Sequence, residues 1–241
     1  MCIRDRYERD KPALLLYIPF KPVSTVQLLF LTMYKNNVKP ALDRIIACLL
    51  LIVLSPLLFA GFIAAAIDSR GNPIFRHTRP GLNEKPIQLL KFQTMKDEFD
   101  ANGRQLSNIE RITRIGRILR NTSIDELPQL FNVLEGSLSL VGPRPLQMWY
   151  LPHYTDEQRK RHSVRPGITG LAQVSGRNTL SWVEKFELDV QYVNTMSFWL
   201  DLKILAKTCS KVFSAGDINS GPGNTMDAFV KKDNEHEHSN S

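Results

Sequence analysis

Residues 45 to 67 read IIACLLLIVLSPLLFAGFIAAAI, 23 consecutive positions without a charged side chain. A helix of that length reaches across the hydrocarbon of a bilayer, so this run constrains the fold more than any other stretch. Its middle holds Ser55-Pro56. A proline there removes one helix hydrogen bond and its ring clashes with the preceding turn, so the helix bends sharply near Ser55. The serine hydroxyl is well placed to take a carbonyl that the proline frees. Basic residues flank both ends, Lys35, Lys39 and Arg44 before the run and Arg70, Arg76, Arg79, Lys85 and Lys91 after it. Because lysine and arginine favour the cytoplasmic side, a helix that dips into one leaflet and returns fits better than one that spans. A straight transmembrane helix with a tolerated kink and, less readily, a buried helix of a soluble protein stay open as alternatives.

The chain has 241 residues, 43% of them hydrophobic, enough for one sizeable domain with an appendage. Its formal net charge of +7 points to nucleic acid, an anionic membrane surface or phosphorylated small molecules, without choosing among them. Cys2, Cys48 and Cys209 are far apart and odd in number, which supports neither a disulfide framework nor a zinc site. Met33 opens MYKNNVKPALDR and reads as a natural start, leaving residues 1–32 as an extension of unknown role. After the apolar run, residues 68–106 carry Gly/Pro turns and short bursts such as IQLLKF, which predict one or two strands. NIERITRIGRILRN spaces Ile109, Ile112, Ile115 and Ile118/Leu119 as one amphipathic helix with Arg111, Arg114, Arg117 and Arg120 on its other faces. That helix either lies on an anionic membrane surface or covers the core with a solvated face. TDEQRKRHSV is helix-like, RPGITGLAQVSGRN is a glycine-punctuated loop, and a last helical region runs from Trp182 to about Phe213. In that region Phe198, Trp199, Leu202 and Leu205 are apolar anchors beside Lys203 and Lys207, on either a surface helix or a core helix. The tail from 214 to 241 reads as disordered. Lys21, His77, His153 and His162 have no partner that sequence can name, and surface or loop placement is the plainer reading of each histidine.

NTSIDELPQLF, residues 121–131, sets Asp125 beside Glu126. Ser123 and Glu126 fit a capping box, and Pro128 places a helix start close to Asp125, so an ordinary helix cap accounts for both carboxylates. Their neighbours suggest more. Arg120 lies just upstream, and Arg144 sits in VGPRP, whose two prolines fix the direction of the turn. Arginines suit phosphate oxygens. An aspartate in such surroundings can attack phosphorus, and an adjacent glutamate can hold a Mg2+ that neutralises a diphosphate. On a helix successive side chains point about 100° apart, which suits two different partners.

Five blocks now stand in order: LDRIIACLLLIVLSPL, RPGLNEKPIQLLKFQTM, TSIDELPQLFNVLEGSLSLVGPRP, RPGITGLAQVSGRN and ELDVQYV with WLDLKILAKT. Together, from about Met33 to Phe213, they resemble the bacterial sugar transferases, the monotopic polyprenyl-phosphate phosphoglycosyl transferases, in their small form. The resemblance implies an α+β, mostly helical fold. It would comprise a re-entrant membrane helix at 33–69 broken at Ser55 and Pro56, amphipathic interfacial helices, and a small cytosolic catalytic domain at 70–213. It implies transfer of a sugar 1-phosphate from a UDP-sugar to undecaprenyl phosphate, starting a bacterial surface glycan on the cytoplasmic face of the inner membrane. By the same resemblance Asp125 is the nucleophile, Glu126 is the Mg2+ ligand, and Lys91, Arg120 and Arg144 surround the phosphates. The chain departs from the family's KFRTM at Gln93 and from its GDMSLVGPRP at Ser137. A homodimer is compatible with the resemblance, and the identity of the sugar is open. Two other readings compete with transfer: a metal-dependent phosphohydrolase of lipid diphosphates, and a basic anchored module binding nucleic acid or anionic lipid through Arg111, Arg114, Arg117 and Arg120. No aromatic-interleaved basic motif supports nucleic acid as a partner.

Overall fold

The computed structural model describes residues 31–69, 71–96, 107–176 and 179–213. The extension read at 1–32, apart from Leu31 and Thr32, and the tail from Ser214 lie outside these residues, as do Lys21 and Arg70. What is described is mostly helical α+β with two small two-stranded sheets.

A π-helical turn, Tyr34–Val38, leads into α1 (Lys39–Val53), and α2 (Ser55–Ser69) follows at a bend of 70°. The Ser55 hydroxyl donates to the Ile52 carbonyl at 2.8 Å. Ile52 stands four residues before Pro56, so the hydroxyl takes the carbonyl that proline cannot bond. Among the described residues no single helix is long and apolar enough to cross a membrane, but the bent pair qualifies together by length and composition. Ile45, Leu49, Ile52, Val53, Phe59 and Ile67 stand outward, 57% to 72% exposed. The inner faces are small: Ala47, Gly61 and Ala65 are buried. A Cβ at Gly61 would come within 2.7 Å of the Phe92 ring, so only glycine lets α2 approach the next element this closely.

That element is an antiparallel hairpin of β1 (Ile74–Pro80) and β2 (Pro86–Phe92), in register from Ile74 opposite Phe92 to Pro80 opposite Pro86. Asn83 and Glu84 turn the hairpin with φ of 52° and 63°. The Glu84 carboxylate is held there by Arg159 at 2.7 and 2.9 Å. The amphipathic stretch, expected as one helix, forms two: α3 (Asn108–Arg111) and α4 (Arg114–Asn121). Ile112 leaves the helix to bridge Met95, and the Thr113 hydroxyl restarts it by accepting from the Gly116 amide at 2.8 Å. Apolar spacing set the faces but could not reveal this tertiary interruption.

After a 3₁₀ turn at Ile124–Glu126, α5 (Gln129–Glu135) ends at Gly136, whose φ of 94° is left-handed. β3 (Ser139–Val141) pairs in parallel with β4 (Gly167–Thr169). Between them lie a 3₁₀ turn at Met148–His153, α6 (Asp156–Arg159) and a 3₁₀ turn at Lys160–Ser163. α7 (Leu171–Ser175) follows β4. The last helical region is also two helices, α8 (Trp182–Thr195) and α9 (Phe198–Phe213). α9 turns Asp201 and Ile204 inward, while Phe198, Trp199 and Leu202 stand exposed, which favours its reading as a surface helix.

The main core joins α1, α5, β3, α8 and α9 through Ala47, Leu130, Val133, Val141, Tyr192 and Ile204, with Ile168 of β4 packed against it. A buried polar network crosses it. Lys39 lies 2.7 Å from Asp201 and 3.6 Å from Asp43. The hydroxyls of Tyr34 and Tyr192 each donate to Asp201 at 2.7 Å, and Ser139 donates to Asp43 at 2.6 Å. Because buried polar groups must be paired, this network fixes α1 against the elements that carry the site.

Candidate active site

Asp125 and Glu126 are not in the first turn of an α-helix. Ser123 adopts a left-handed φ of 57° and its hydroxyl caps nothing, so the expected capping box is absent. Instead the Glu126 amide donates to the Ser123 carbonyl at 3.2 Å, and α5 begins only at Gln129, after Pro128. On the intervening 3₁₀ turn, with three residues per turn, successive side chains diverge by about 120°. The two carboxylates therefore enter different surroundings.

Glu126 is clamped. Its Oε1 accepts from Lys91 Nζ at 2.7 Å and from Arg144 Nη2 at 3.0 Å. Burial would raise its pKa, but the charges and hydrogen bonds of Arg144 and Lys91 outweigh burial and hold it down at about 2. The Arg144 guanidinium is in turn held above its ordinary value by Glu126. Asp125 is only 8% exposed, and its carboxylate accepts no hydrogen bond among the described residues. Its pKa is raised, chiefly by burial and also by Glu126, against the opposing charges of Lys91, Arg120 and Arg144.

Each cation arrives on a different element. Lys91 is next to the end of β2, which is docked on α5 by Asn132: Asn132 Oδ1 accepts from the Leu90 amide at 3.0 Å, and Nδ2 donates to the Gln88 carbonyl at 2.8 Å. Ser137, one departure from the family pattern, sits beside this bracket, its hydroxyl 3.3 Å from Asn132 Nδ2. Gln93, the other departure, donates to the Met95 carbonyl at 2.5 Å. Arg144 leaves the end of β3. Arg120, in the last turn of α4, bonds Thr94 Oγ1 at 2.8 Å and reaches Asp125 through its field rather than by contact.

All five expected residues, Lys91, Arg120, Asp125, Glu126 and Arg144, line one cavity of about 1610 Å³. Ser55 and Pro56 do not, but Leu50 and Leu54, just before the break, do. His77 and Arg79 line it as well and were missed by the sequence reading. Arg79 Nη2 lies 3.2 Å from His77 Nδ1, and burial together with the charge of Arg144 holds the Arg79 guanidinium down at about 10. Residues directly opposite in an antiparallel pair share a face. Phe75 opposite Lys91 and His77 opposite Leu89 thus put His77 and Arg79 on the face of Lys91, a signal available once the register is known. His162, expected at the surface, is 6% exposed, and burial followed by the charges of Arg161 and Arg159 takes its imidazole down to about 3.

No group of three or more His, Cys, Asp or Glu converges anywhere among the described residues. A buried carboxylate, a clamped one and a ring of cations suit an anionic, phosphate-bearing ligand. The chain belongs to the bacterial sugar transferase family, whose model matches residues 34–215. It is 55% identical over 161 residues to the "uncharacterized sugar transferase EpsL" of Bacillus subtilis, covering 66% of this chain and 80% of that one. It is 44% identical over 181 residues to the UDP-glucose:undecaprenyl-phosphate glucose-1-phosphate transferase of Caulobacter vibrioides, covering 70% of this chain and 67% of the relative. The Escherichia coli protein of the same name is 41% identical over 187 residues, 73% of this chain but 40% of its own length.

Proposed function

We propose that the protein transfers a sugar 1-phosphate from a UDP-sugar to undecaprenyl phosphate through a covalent phosphosugar-aspartate. The unequal treatment of the two carboxylates carries this reading. Glu126, stripped of basicity by Lys91 and Arg144, is a poor nucleophile, whereas Asp125 is buried, without a hydrogen-bond partner among the described residues, and more basic than an ordinary aspartate. An Asp125 carboxylate oxygen attacks the β-phosphorus, and the bond from that phosphorus to the bridging oxygen breaks to release UMP. An oxygen of undecaprenyl phosphate then attacks the same phosphorus, and the aspartyl bond breaks to restore the carboxylate. Only phosphorus is attacked, so the anomeric bond of the sugar is retained. Lys91, Arg120 and Arg144 bind the diphosphate oxygens. Glu126 fits a Mg2+ ion, since it is ionised and no described residue takes its Oε2, and such ions take one or two carboxylates with substrate phosphates supplying the rest. When bound, the ion neutralises charge on the diphosphate. The names of the Caulobacter and Escherichia relatives support the acceptor and a UDP-sugar donor.

Membranes containing the protein, given undecaprenyl phosphate and a panel of UDP-sugars, are expected to release UMP with at least one sugar and to form a lipid-linked sugar diphosphate. Release of free sugar phosphate without the lipid acceptor would instead identify the phosphohydrolase.

The bent pair α1–α2 is proposed to enter and leave the inner membrane on the cytoplasmic face, bringing the lipid phosphate to the Leu50 and Leu54 side of the cavity. Its outward apolar residues and its 70° break support this. In a cysteine-free background, single cysteines at Tyr34 and Asp68 are expected to resist a membrane-impermeant maleimide added to spheroplasts. Reaction at one of the two positions would show a crossing helix. Pro56→Ala, which restores the helix hydrogen bond, is expected to shift the protein toward that crossing form.

A further inference from the structure

Arg144 reaches Glu126 from between Pro143 and Pro145. Its peptide to Pro145 has no N–H, so the Arg144 carbonyl is the only hydrogen-bonding group by which that peptide can be held. Arg161 Nη2 donates to this carbonyl at 2.7 Å. Arg161 is itself fixed from several sides and is 2% exposed. Its Nε and Nη2 donate to Asp189 Oδ2 at 3.0 and 2.6 Å, and Nη1 donates to the Tyr154 hydroxyl at 3.1 Å. The guanidinium carbon lies 5.7 Å from the Tyr154 ring centre and 5.5 Å from that of Phe186. Asp189 is likewise buried, at 3%. The other contacts of the turn, Gly142 donating to the Thr169 carbonyl at 2.8 Å and Gly167 to the Pro143 carbonyl at 3.0 Å, anchor the chain before Arg144 but not the peptide after it.

We propose that Arg161 is a positioning residue for Arg144: its planar fork, oriented by Asp189 and Tyr154, sets the plane of the 144–145 peptide and so aims the Arg144 guanidinium at Glu126 and the donor diphosphate. The inference rests on the reading of the site as the place where a nucleotide diphosphate binds. The spread of donors, Nε and Nη2 on one oxygen of Asp189, Nη1 on Tyr154 and Nη2 on the Arg144 carbonyl, explains why the residue is arginine. A lysine ammonium can balance Asp189, but it cannot also hold Tyr154 and the Arg144 carbonyl in one rigid plane.

The test is a double-mutant cycle read by UDP binding in calorimetry, with UMP release as a second measurement. Arg161→Lys is expected to weaken UDP binding on the order of tenfold, and to lower kcat/KM for the UDP-sugar in parallel. In an Arg144→Ala background the same substitution is expected to change neither quantity further, because Arg161 acts through Arg144. Equal losses in both backgrounds, or no loss beside intact Arg144, overturn the proposal, since a merely structural role is indifferent to the Arg144 side chain. Should Arg161→Lys fail to fold, Tyr154→Phe keeps the ring and removes the hydroxyl that orients Nη1. A loss of about threefold is expected from it, again confined to the background with Arg144, and a loss of any size that persists without Arg144 overturns the proposal. Wild-type protein that binds UDP but releases no UMP refutes the transfer reaction and leaves the binding cycle to decide the role of Arg161.

Discussion

Asp125→Asn is expected to lower UMP release by roughly three orders of magnitude or more, as removal of a covalent nucleophile does in other enzymes. The substitution keeps the shape of the side chain but replaces the carboxylate by a neutral amide, which removes its charge and with it the capacity to bond phosphorus. In the absence of lipid acceptor, wild-type protein mixed with UDP-sugar and quenched in acid should gain the mass of one sugar phosphate, and the variant should not. Variant protein that turns over at the wild-type rate would rule out the aspartyl intermediate. Stability should move the other way. Burial raises the Asp125 pKa, so the folded state favours its protonated form; the stability this group contributes is present at acid pH and is lost as pH rises through the folded pKa. At neutral pH the Asn variant is therefore expected to melt no lower than wild type. The same shift places the acid limb of wild-type activity above the range of an exposed aspartate, because the nucleophile must be ionised.

How much of this was legible in the sequence follows from whether a feature is local. The break at Ser55-Pro56 is local chemistry: a missing N–H, a freed carbonyl and a neighbouring hydroxyl within one turn, and the bond from Ser55 to Ile52 is the expected one in kind. Arg120 and Arg144 could be read beside the carboxylate pair from their neighbourhood and the two prolines of VGPRP, whereas Lys91 joined them only through the family resemblance. Nothing in their spacing could say that Lys91 and Arg144 share one oxygen of Glu126 while Asp125 has no hydrogen-bond partner among the described residues. The capping box at Ser123 failed because a left-handed residue there redirected the chain into a 3₁₀ turn. The split of the amphipathic helix depended on Thr94 and Met95, which lie far away in sequence and pair with Thr113 and Ile112. The parallel pairing of β3 with β4 joins segments of only three residues each, too short for an alternating pattern to announce. Arg161 and Asp189 stand 28 residues apart, and only the folded chain makes them a buried pair.

Lys39→Met is expected to destabilise the protein by about 3–5 kcal/mol, the usual consequence of removing one partner from a buried charge network. Lys39 is 6% exposed and lies within reach of two carboxylates, Asp201 and Asp43, themselves 6% and 8% exposed. Methionine keeps most of the side-chain volume, so the loss isolates charge rather than packing. The tyrosine hydroxyls of Tyr34 and Tyr192 and the serine hydroxyl of Ser139 would still donate to those carboxylates, but hydrogen bonds from neutral groups do not replace a buried counter-charge. Adding Asp201→Asn to Lys39→Met should therefore recover part of the loss, a coupling that urea unfolding of the detergent-solubilised variants can measure. A loss below about 1 kcal/mol for Lys39→Met, in the range of exposed ion pairs, would mean that water reaches the network. The functional consequence separates anchoring from chemistry. α1 carries Leu50, which lines the cavity on the side proposed for the lipid phosphate. A loosened α1 should thus impair use of the lipid acceptor, measured as a raised KM for undecaprenyl phosphate, while formation of the phosphosugar-aspartate from the soluble donor continues near the wild-type rate.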